Sequence, residues 1–250
     1  MEIFKKDVFG HSNIIKRFIF FIVGVFTYPR FTILNKMMIE GMENLQGLPS
    51  SNVLFVSNHQ TYFADVIAFN HVFSSAKWGF RNSIENPVYL FNPRINTYYV
   101  AARETMKAGL LPKIFEYAGS ISINRTWREA GKDINRKVDI SDITKIGEAL
   151  SEGWVITFPQ GTTTPYAPGR RGSTLIIKKF EPIVVPVVIN GFRRAFDKKG
   201  LKLKKTGINL SISFKPAMKL DPNEDPDVLL NKIMYAIEQS EEFHPGVLQK

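Results

Sequence analysis

Short runs rich in β-branched and aromatic residues alternate with helical stretches along this chain, and that alternation allows few folds. Residues 52–57 (NVLFVS) read as a buried strand that ends at a turn, and residues 64–72 follow it as a helix. Residues 98–102 and 120–124 (SISIN) are two further strands, separated by a helix around 110–117. A helix capped at or near Asp142 runs through Leu150 and stops at Gly153; residues 154–158 (WVITF) then form a strand leading into a Pro-Gln-Gly turn. Residues 183–189 and 208–214 are later strands, and 226–239 form a C-terminal helix with Asp225 as its cap. Strands interleaved with helices predict an α/β fold with a mixed, mostly parallel sheet flanked by helices.

The formal net charge of +10 on 250 residues predicts attraction to something anionic: nucleic acid, an acidic lipid surface or an acidic carrier protein. Cysteine is absent, which excludes disulfides, thiolate-zinc sites and thiol nucleophiles and suits a protein facing the cytosol. Near the N-terminus an apolar run covers residues 18–28, about half of the roughly 20 residues that a membrane-crossing helix needs, and Pro29-Arg30 is expected to end it. No small-residue cleavage site follows, so a secretory signal is not expected. Lys16, Arg17 and Arg30 would then sit at headgroup level while Phe18, Phe20, Ile22, Phe26 and their neighbours enter the acyl boundary. A buried core helix is the other reading, and the run alone leaves both open.

In open α/β sheets the reactive residues lie just beyond the carboxyl ends of strands. Two polar segments occupy such positions, Asn58-His59-Gln60-Thr61 and the loop 159–164 that follows Phe158. Of the four histidines, His59 alone stands at a strand terminus, which makes it the best candidate base. Asp65, six residues on, can fix its tautomer and stabilise the cation that forms. The competing reading makes His59 a turn residue and Asp65 the first-turn acid of the next helix. No G-x-S-x-G, G-x-G-x-x-G or G-x-x-x-x-G-K-[ST] motif is present, so direct transfer is expected rather than a covalent enzyme intermediate. No metal site is expected, because no second histidine stands at ligand spacing. Arg125, after the SISIN strand, suits a phosphorylated acceptor. Arg170-Arg171 and Lys178-Lys179 read as solvated faces. The segment 158–165 (FPQGTTTP) is able to cradle an anionic headgroup or to turn a corner.

Four blocks, taken in order, resemble the glycerophospholipid acyltransferase family, whose bacterial members acylate 1-acylglycerol 3-phosphate to phosphatidic acid. They are residues 57–65 (SNHQTYFAD), 119–125 (GSISINR), 158–162 (FPQGT) and 184–187 (VVPV). The resemblance implies that His59 is the general base and that Asp65 orients it. It implies substrate contacts from Asn58, Arg125, Gln160, Gly161, Thr162, Thr163 and Pro186. It also implies an acyl-CoA or acyl carrier protein thioester as donor, a lysophospholipid acceptor and no other cofactor. Residues 1–34 are expected to form a membrane-associating helical segment and 35–250 the acyltransferase domain, peripheral or monotopic on the cytoplasmic face of an anionic inner membrane.

The chain departs from the family at three points. Five residues separate His59 from Asp65 where the family has four, so the loop between them must bulge or Asp65 must reach His59 differently. Gln160 stands where glutamate is usual, and Thr163 where arginine is usual; the latter change removes a bidentate phosphate contact. These changes point either to another acceptor headgroup, such as an aminolipid, or to the same acceptor held by other bases. Two further rivals are a basic nucleic-acid-binding protein and a catalytically inactive membrane-binding protein. The first lacks any helix-turn-helix, zinc or aromatic-strand motif and gives the N-terminal run no role, so no nucleic acid partner is expected.

Overall fold

The computed structural model describes residues 5–106, 110–125, 128–129, 132–133 and 139–245. In chain order its elements are α1 (Asn13–Thr32), β1 (Lys36–Glu40), β2 (Val53–Ser57), α2 (Ala64–Lys77), β3 (Thr97–Ala102), α3 (Leu110–Tyr117) and β4 (Ser120–Ile123). The short strands β5 (Arg128–Glu129) and β6 (Lys132–Asp133) follow. The chain continues through α4 (Ile140–Glu152), β7 (Trp154–Thr157), α5 (Gly172–Phe180), β8 (Ile183–Asn190), α6 (Phe192–Ala195), β9 (Asn209–Phe214) and α7 (Pro226–Ala236). Seven strands form one sheet in the order β1-β9-β8-β2-β7-β3-β4, and β5 pairs with β6 apart from it. Neighbours in the large sheet are parallel throughout except β8 against β9. The fold is therefore α/β, with a mixed, mostly parallel sheet.

Both faces of this sheet are covered, which explains the uninterrupted apolar character of β2, all five of whose residues are buried. Because side chains alternate across a strand, Val53 and Phe55 enter one core with Phe31 of α1 and Phe69 and Phe73 of α2. Leu54 and Val56 enter the other, with Ile146 of α4, Ile176 of α5 and Ile233 of α7. Each such side chain contributes about 1.5–3 kcal/mol by leaving water.

Several elements differ from the sequence reading, in which α5, α6, β5 and β6 have no counterpart and α7 extends to 239 rather than Ala236. Strand β1 has no counterpart there; it is an edge strand paired only with β9, and only Ile39 of its five residues is buried, too weak a pattern to stand out. Helix α2 continues to Lys77, because Phe73, Ser74 and Ser75 are still buried. The cap of α4 is Asp139, whose side chain accepts from the Ser141 N–H at 2.9 Å, while Asp142 lies in the first turn.

Helix α1 starts at Asn13 and runs past Pro29 to Thr32, so Pro29-Arg30 does not end it. The proline falls in the last turn, where its own carbonyl still accepts from the Ile33 and Leu34 N–H groups, at 3.0 and 2.8 Å. One face packs inward through Phe20, Gly24 and Phe31, with Gly24 so close to Leu90 that an added Cβ would come within 2.5 Å of it. The other face exposes Ile15, Phe18, Ile22, Val25 and Phe26. Core helix and exposed apolar helix are thus two faces of one element. Lys16 is not at headgroup level: it is fully buried, with Nζ 3.3 Å from Asp7 Oδ2 and 4.1 Å from the Tyr98 ring centroid. Among the described residues no helix is long and apolar enough to cross a membrane.

A buried polar relay joins α1 to α2. The Thr27 hydroxyl donates to Val23 O at 2.6 Å, which assigns the proton between Thr27 Oγ1 and His71 Nε2, 2.9 Å apart, to the histidine. Nδ1 then accepts from the Tyr89 hydroxyl at 2.8 Å. Every polar atom of the neutral ring is satisfied, and burial depresses the His71 pKa to about 3. The folded pKa lies below the unfolded value, so the native state is favoured above pH of about 6.5 and loses about 1.4 kcal/mol per pH unit as pH falls from there toward 3. Between pH 6.5 and 5 this group should remove about 2 kcal/mol of stability. Denaturant titrations of native protein and His71→Gln at both pH values check this. Equal losses in the two proteins would assign the acid sensitivity elsewhere.

Candidate active site

The carboxyl ends of β2, β7, β3 and β4 open into one cleft of about 280 Å³. Its walls are apolar, from Phe63, Val66, Tyr99, Val100, Ile123, Ile143, Ile146 and Ile176, and its polar lining includes His59, Arg125, Asp142, Thr162, Arg170 and Arg171. The cleft combines a surface for an acyl chain with charge for a headgroup.

His59 enters it from the end of β2. Its ring stacks on Phe158, at the end of β7, with centroids 3.8 Å apart and planes 19° apart. Nδ1 lies 2.9 Å from Asp65 Oδ2. Asp65 is wholly buried in the first turn of α2 and also accepts from the Gln60 N–H at 2.6 Å, the Thr61 N–H at 3.0 Å and the Thr61 hydroxyl at 2.7 Å. A carboxylate surrounded by donors accepts only, so Nδ1 carries the proton and Nε2 keeps its lone pair. The Asp65 negative end at a helix N-terminus is itself favourable.

The five intervening residues bend outward onto the segment between α6 and β9. Tyr62 and Phe63 donate their N–H groups to the carbonyls of Lys198 and Lys199, at 3.1 and 3.0 Å. Gly200 then passes under the loop with φ +78°, where an added Cβ would lie 2.5 Å from Ala64 N. The longer loop is thus seated on a second piece of chain, and Asp65 still reaches His59.

The other residues singled out from the sequence divide into two groups. Arg125, Gly161 and Thr162 line the cleft with His59. Arg125 is also paired with Glu104 at 2.5 Å. Gly161 has φ +62° and closes the turn by donating to Phe158 O at 2.9 Å. That N–H and those of Gln60 and Thr61 are therefore committed; Thr162 also lines the cleft, its hydroxyl 3.2 Å from Thr164 Oγ1 and accepting from the Thr164 N–H at 3.3 Å.

Asn58, Gln160, Thr163 and Pro186 do not line the cleft. Asn58 clamps β2 to β8, giving its Nδ2 to Ile189 O at 2.9 Å and taking the Ile189 N–H at 2.8 Å. Gln160 is buried and donates to Ala167 O at 2.9 Å and Gln239 Oε1 at 3.2 Å, so it pins the turn to the C-terminal region. Thr163 is buried, and its carbonyl accepts from the Arg193 guanidinium. Pro186 lies within β8 with its carbonyl accepting from Lys215 N at 2.9 Å, just past the end of the β8–β9 pairing, where a missing N–H costs the sheet little. Of the paired cations, Arg170 and Arg171 line the cleft, with Arg171 Nε 2.7 Å from Asp227. Lys178 instead donates to Glu224 O at 2.6 Å.

Arg193 escaped the sequence reading. Its N–H donates to Gln60 Oε1 at 3.2 Å and its guanidinium to Thr163 O, so it ties the His59 loop to the 159–164 turn. Burial lowers its pKa, against the pull of the Asp65 charge. A guanidinium from the end of β8 thus stands against the very residue where the family's own arginine is missing; the position of Arg193 just past a strand end was the available signal.

No match to a curated protein was found. Among solved structures, the 1-acyl-sn-glycerophosphate (LPA) acyltransferase PlsC from Thermotoga maritima is similar, with a TM-score of 0.56 and 18% sequence identity over 94% of this chain and 81% of that one. At that identity the likeness is one of fold. A family model described as Acyltransferase matches residues 36–190. That stretch runs from β1 to the end of β8 and so holds every strand whose end opens into the cleft, together with His59 and Asp65. A match of this extent shows that the chain belongs to the Acyltransferase family.

Proposed function

We propose that this protein moves a fatty acyl group from an acyl thioester to a hydroxyl of a lysophospholipid-type acceptor, foremost 1-acylglycerol 3-phosphate to give phosphatidic acid. The observation that carries the reading is the buried Asp65 fixed on His59 Nδ1 at 2.9 Å, at a cleft with apolar walls and arginines in its lining. His59 Nε2 takes the acceptor's proton as its oxygen attacks the thioester carbonyl. The new C–O bond forms, the C–S bond breaks, and the departing thiolate takes the proton from the imidazolium. Asp65 holds the tautomer and offsets the imidazolium charge. Arg125 faces the acceptor phosphate, and Thr162 donates to the developing oxyanion. The donor is acyl-CoA or acyl carrier protein.

The exposed face of α1 supports a peripheral position on a membrane, the cytoplasmic face of the inner membrane in this reading, with apolar side chains in the acyl boundary. An aminolipid acceptor is a second reading, favoured by Asp139 and Asp142 in the same cleft lining as the arginines. Purified protein incubated with lyso-lipids of both headgroup classes and with both thioester donors, followed by mass analysis, decides between them. One added acyl group on 1-acylglycerol 3-phosphate is the expected product. Acylation of the aminolipid alone would establish the second reading, and no acylated product from any pair would end both.

A further inference from the structure

The chain's positive charge is concentrated in one place. Residues 193–205 carry seven basic side chains and one acid, within a chain whose net charge is +10. They form a compact hairpin closed by the Phe196–Leu203 bridge. The lone acid, Asp197, is turned into the hairpin, where Oδ1 accepts from the Leu201 and Lys202 N–H groups at 2.8 and 3.0 Å. Arg194, Lys198, Lys199, Lys202, Lys204 and Lys205 are exposed. Among the described residues none of these six pairs with an acid. Like charges held this close repel one another, and an anionic partner relieves that repulsion.

The hairpin adjoins the exposed face of α1. Arg30 Nη1 donates to Leu201 O at 2.7 Å, and the Gly207 N–H donates to Leu34 O at 2.7 Å. Ile33 and Leu34, 74% and 40% exposed, therefore stand beside the lysines at the end of the apolar face. Of the cations of α1 itself, Lys16 is buried on Asp7, Arg17 is half-buried and Arg30 is held by Leu201 O, so the exposed charge beside this end of the face comes from the hairpin. On its inner side the hairpin carries the His59 loop, through the Lys198 and Lys199 carbonyls.

We propose that the hairpin 194–205 is a docking site for an anionic lipid surface and that, with the exposed face of α1, it seats the His59 loop at that surface. A bilayer takes both the charge and the adjoining apolar area, whereas an acidic carrier protein is matched by the charge alone. Five of the six exposed cations are lysines, flexible point charges that suit mobile headgroups better than fixed bidentate pairing.

The test uses the full chain and sedimentation with vesicles of phosphatidylcholine alone or with 30 mol% phosphatidylglycerol. Each lysine near an acidic surface is worth about fivefold in binding. Lys198→Gln, Lys199→Gln, Lys202→Gln and Lys205→Gln together should weaken binding to the acidic vesicles by at least about twentyfold at low salt, with little change on neutral vesicles. Melting temperatures and the two paired variants, 198/199 and 202/205, separate this from misfolding, since each pair should lose part of the binding. Unchanged binding to acidic vesicles by the folded quadruple variant would overturn the proposal. So would intact vesicle binding with lost turnover on acyl carrier protein donors alone, which would make the hairpin a carrier-protein site. Vesicle binding needs no turnover, so failure of the acylation assay leaves this result separately readable.

Discussion

His59→Ala should lower acyl transfer by about 10²–10⁴-fold while the protein keeps its fold. The loss is expected to be that large because, among the described residues of the cleft lining, no other group combines an unprotonated nitrogen with a fixed partner: the remaining cations there are arginines, which do not give up a proton. The fold should survive because His59 belongs to neither hydrophobic core cluster and Asp65 keeps its donors from Gln60 and Thr61. Turnover is to be measured with a thioester donor and 1-acylglycerol 3-phosphate, beside a melting curve. A folded His59→Ala protein with near-native turnover would remove His59 as the base. His59→Gln, which keeps a polar side chain beside Asp65 without a basic nitrogen, should fall as far.

Most of the strands and helices, though not β1, β5, β6, α5 or α6, were legible in order because they depend on local pattern. The four apolar residues of β2, closed by Asn58 and His59, mark both a buried strand and the polar loop at its end. Arg125 and the glycine of the 158–162 block were legible for the same reason, since each lies in the loop that follows a strand. What stayed hidden depends on contacts across the chain. Asn58 meets Ile189, 131 positions away, and Gln160 meets Gln239, 79 positions away, so polar residues in a reactive-looking block prove to be clamps. Arg193 reaches Thr163 and Gln60 only because β8 lies beside β2 in the sheet. Lys16 illustrates the same limit. A lysine flanking an apolar run reads as a headgroup contact, but the fold brings Asp7 and the Tyr98 ring to it and takes it out of solvent.

Asp65→Asn should lower turnover by about 10²–10⁴-fold. Both carboxylate oxygens of Asp65 face donors. Oδ2 meets His59 Nδ1 at 2.9 Å and the Gln60 N–H at 2.6 Å, and Oδ1 meets the Thr61 hydroxyl at 2.7 Å. An asparagine amide placed toward His59 would oppose the Gln60 donor and reverse the imidazole tautomer, taking the lone pair from Nε2. The lower-energy placement turns the amide toward Thr61, whose hydroxyl can rotate and accept, and keeps the carbonyl on His59. The tautomer then survives and the negative charge does not, so the imidazolium formed during transfer loses its counter-charge in a buried site where that charge counts most. Charge-assisted bonds become neutral ones, and stability should fall by about 1–3 kcal/mol. Turnover and melting of Asp65→Asn and Asp65→Ala, measured together, separate orientation from charge. Asparagine should fall nearly as far as alanine in turnover while remaining the more stable protein, because it still accepts from Gln60 and His59. An asparagine variant within about tenfold of native turnover would mean that orienting the ring, and not offsetting its charge, is what Asp65 contributes.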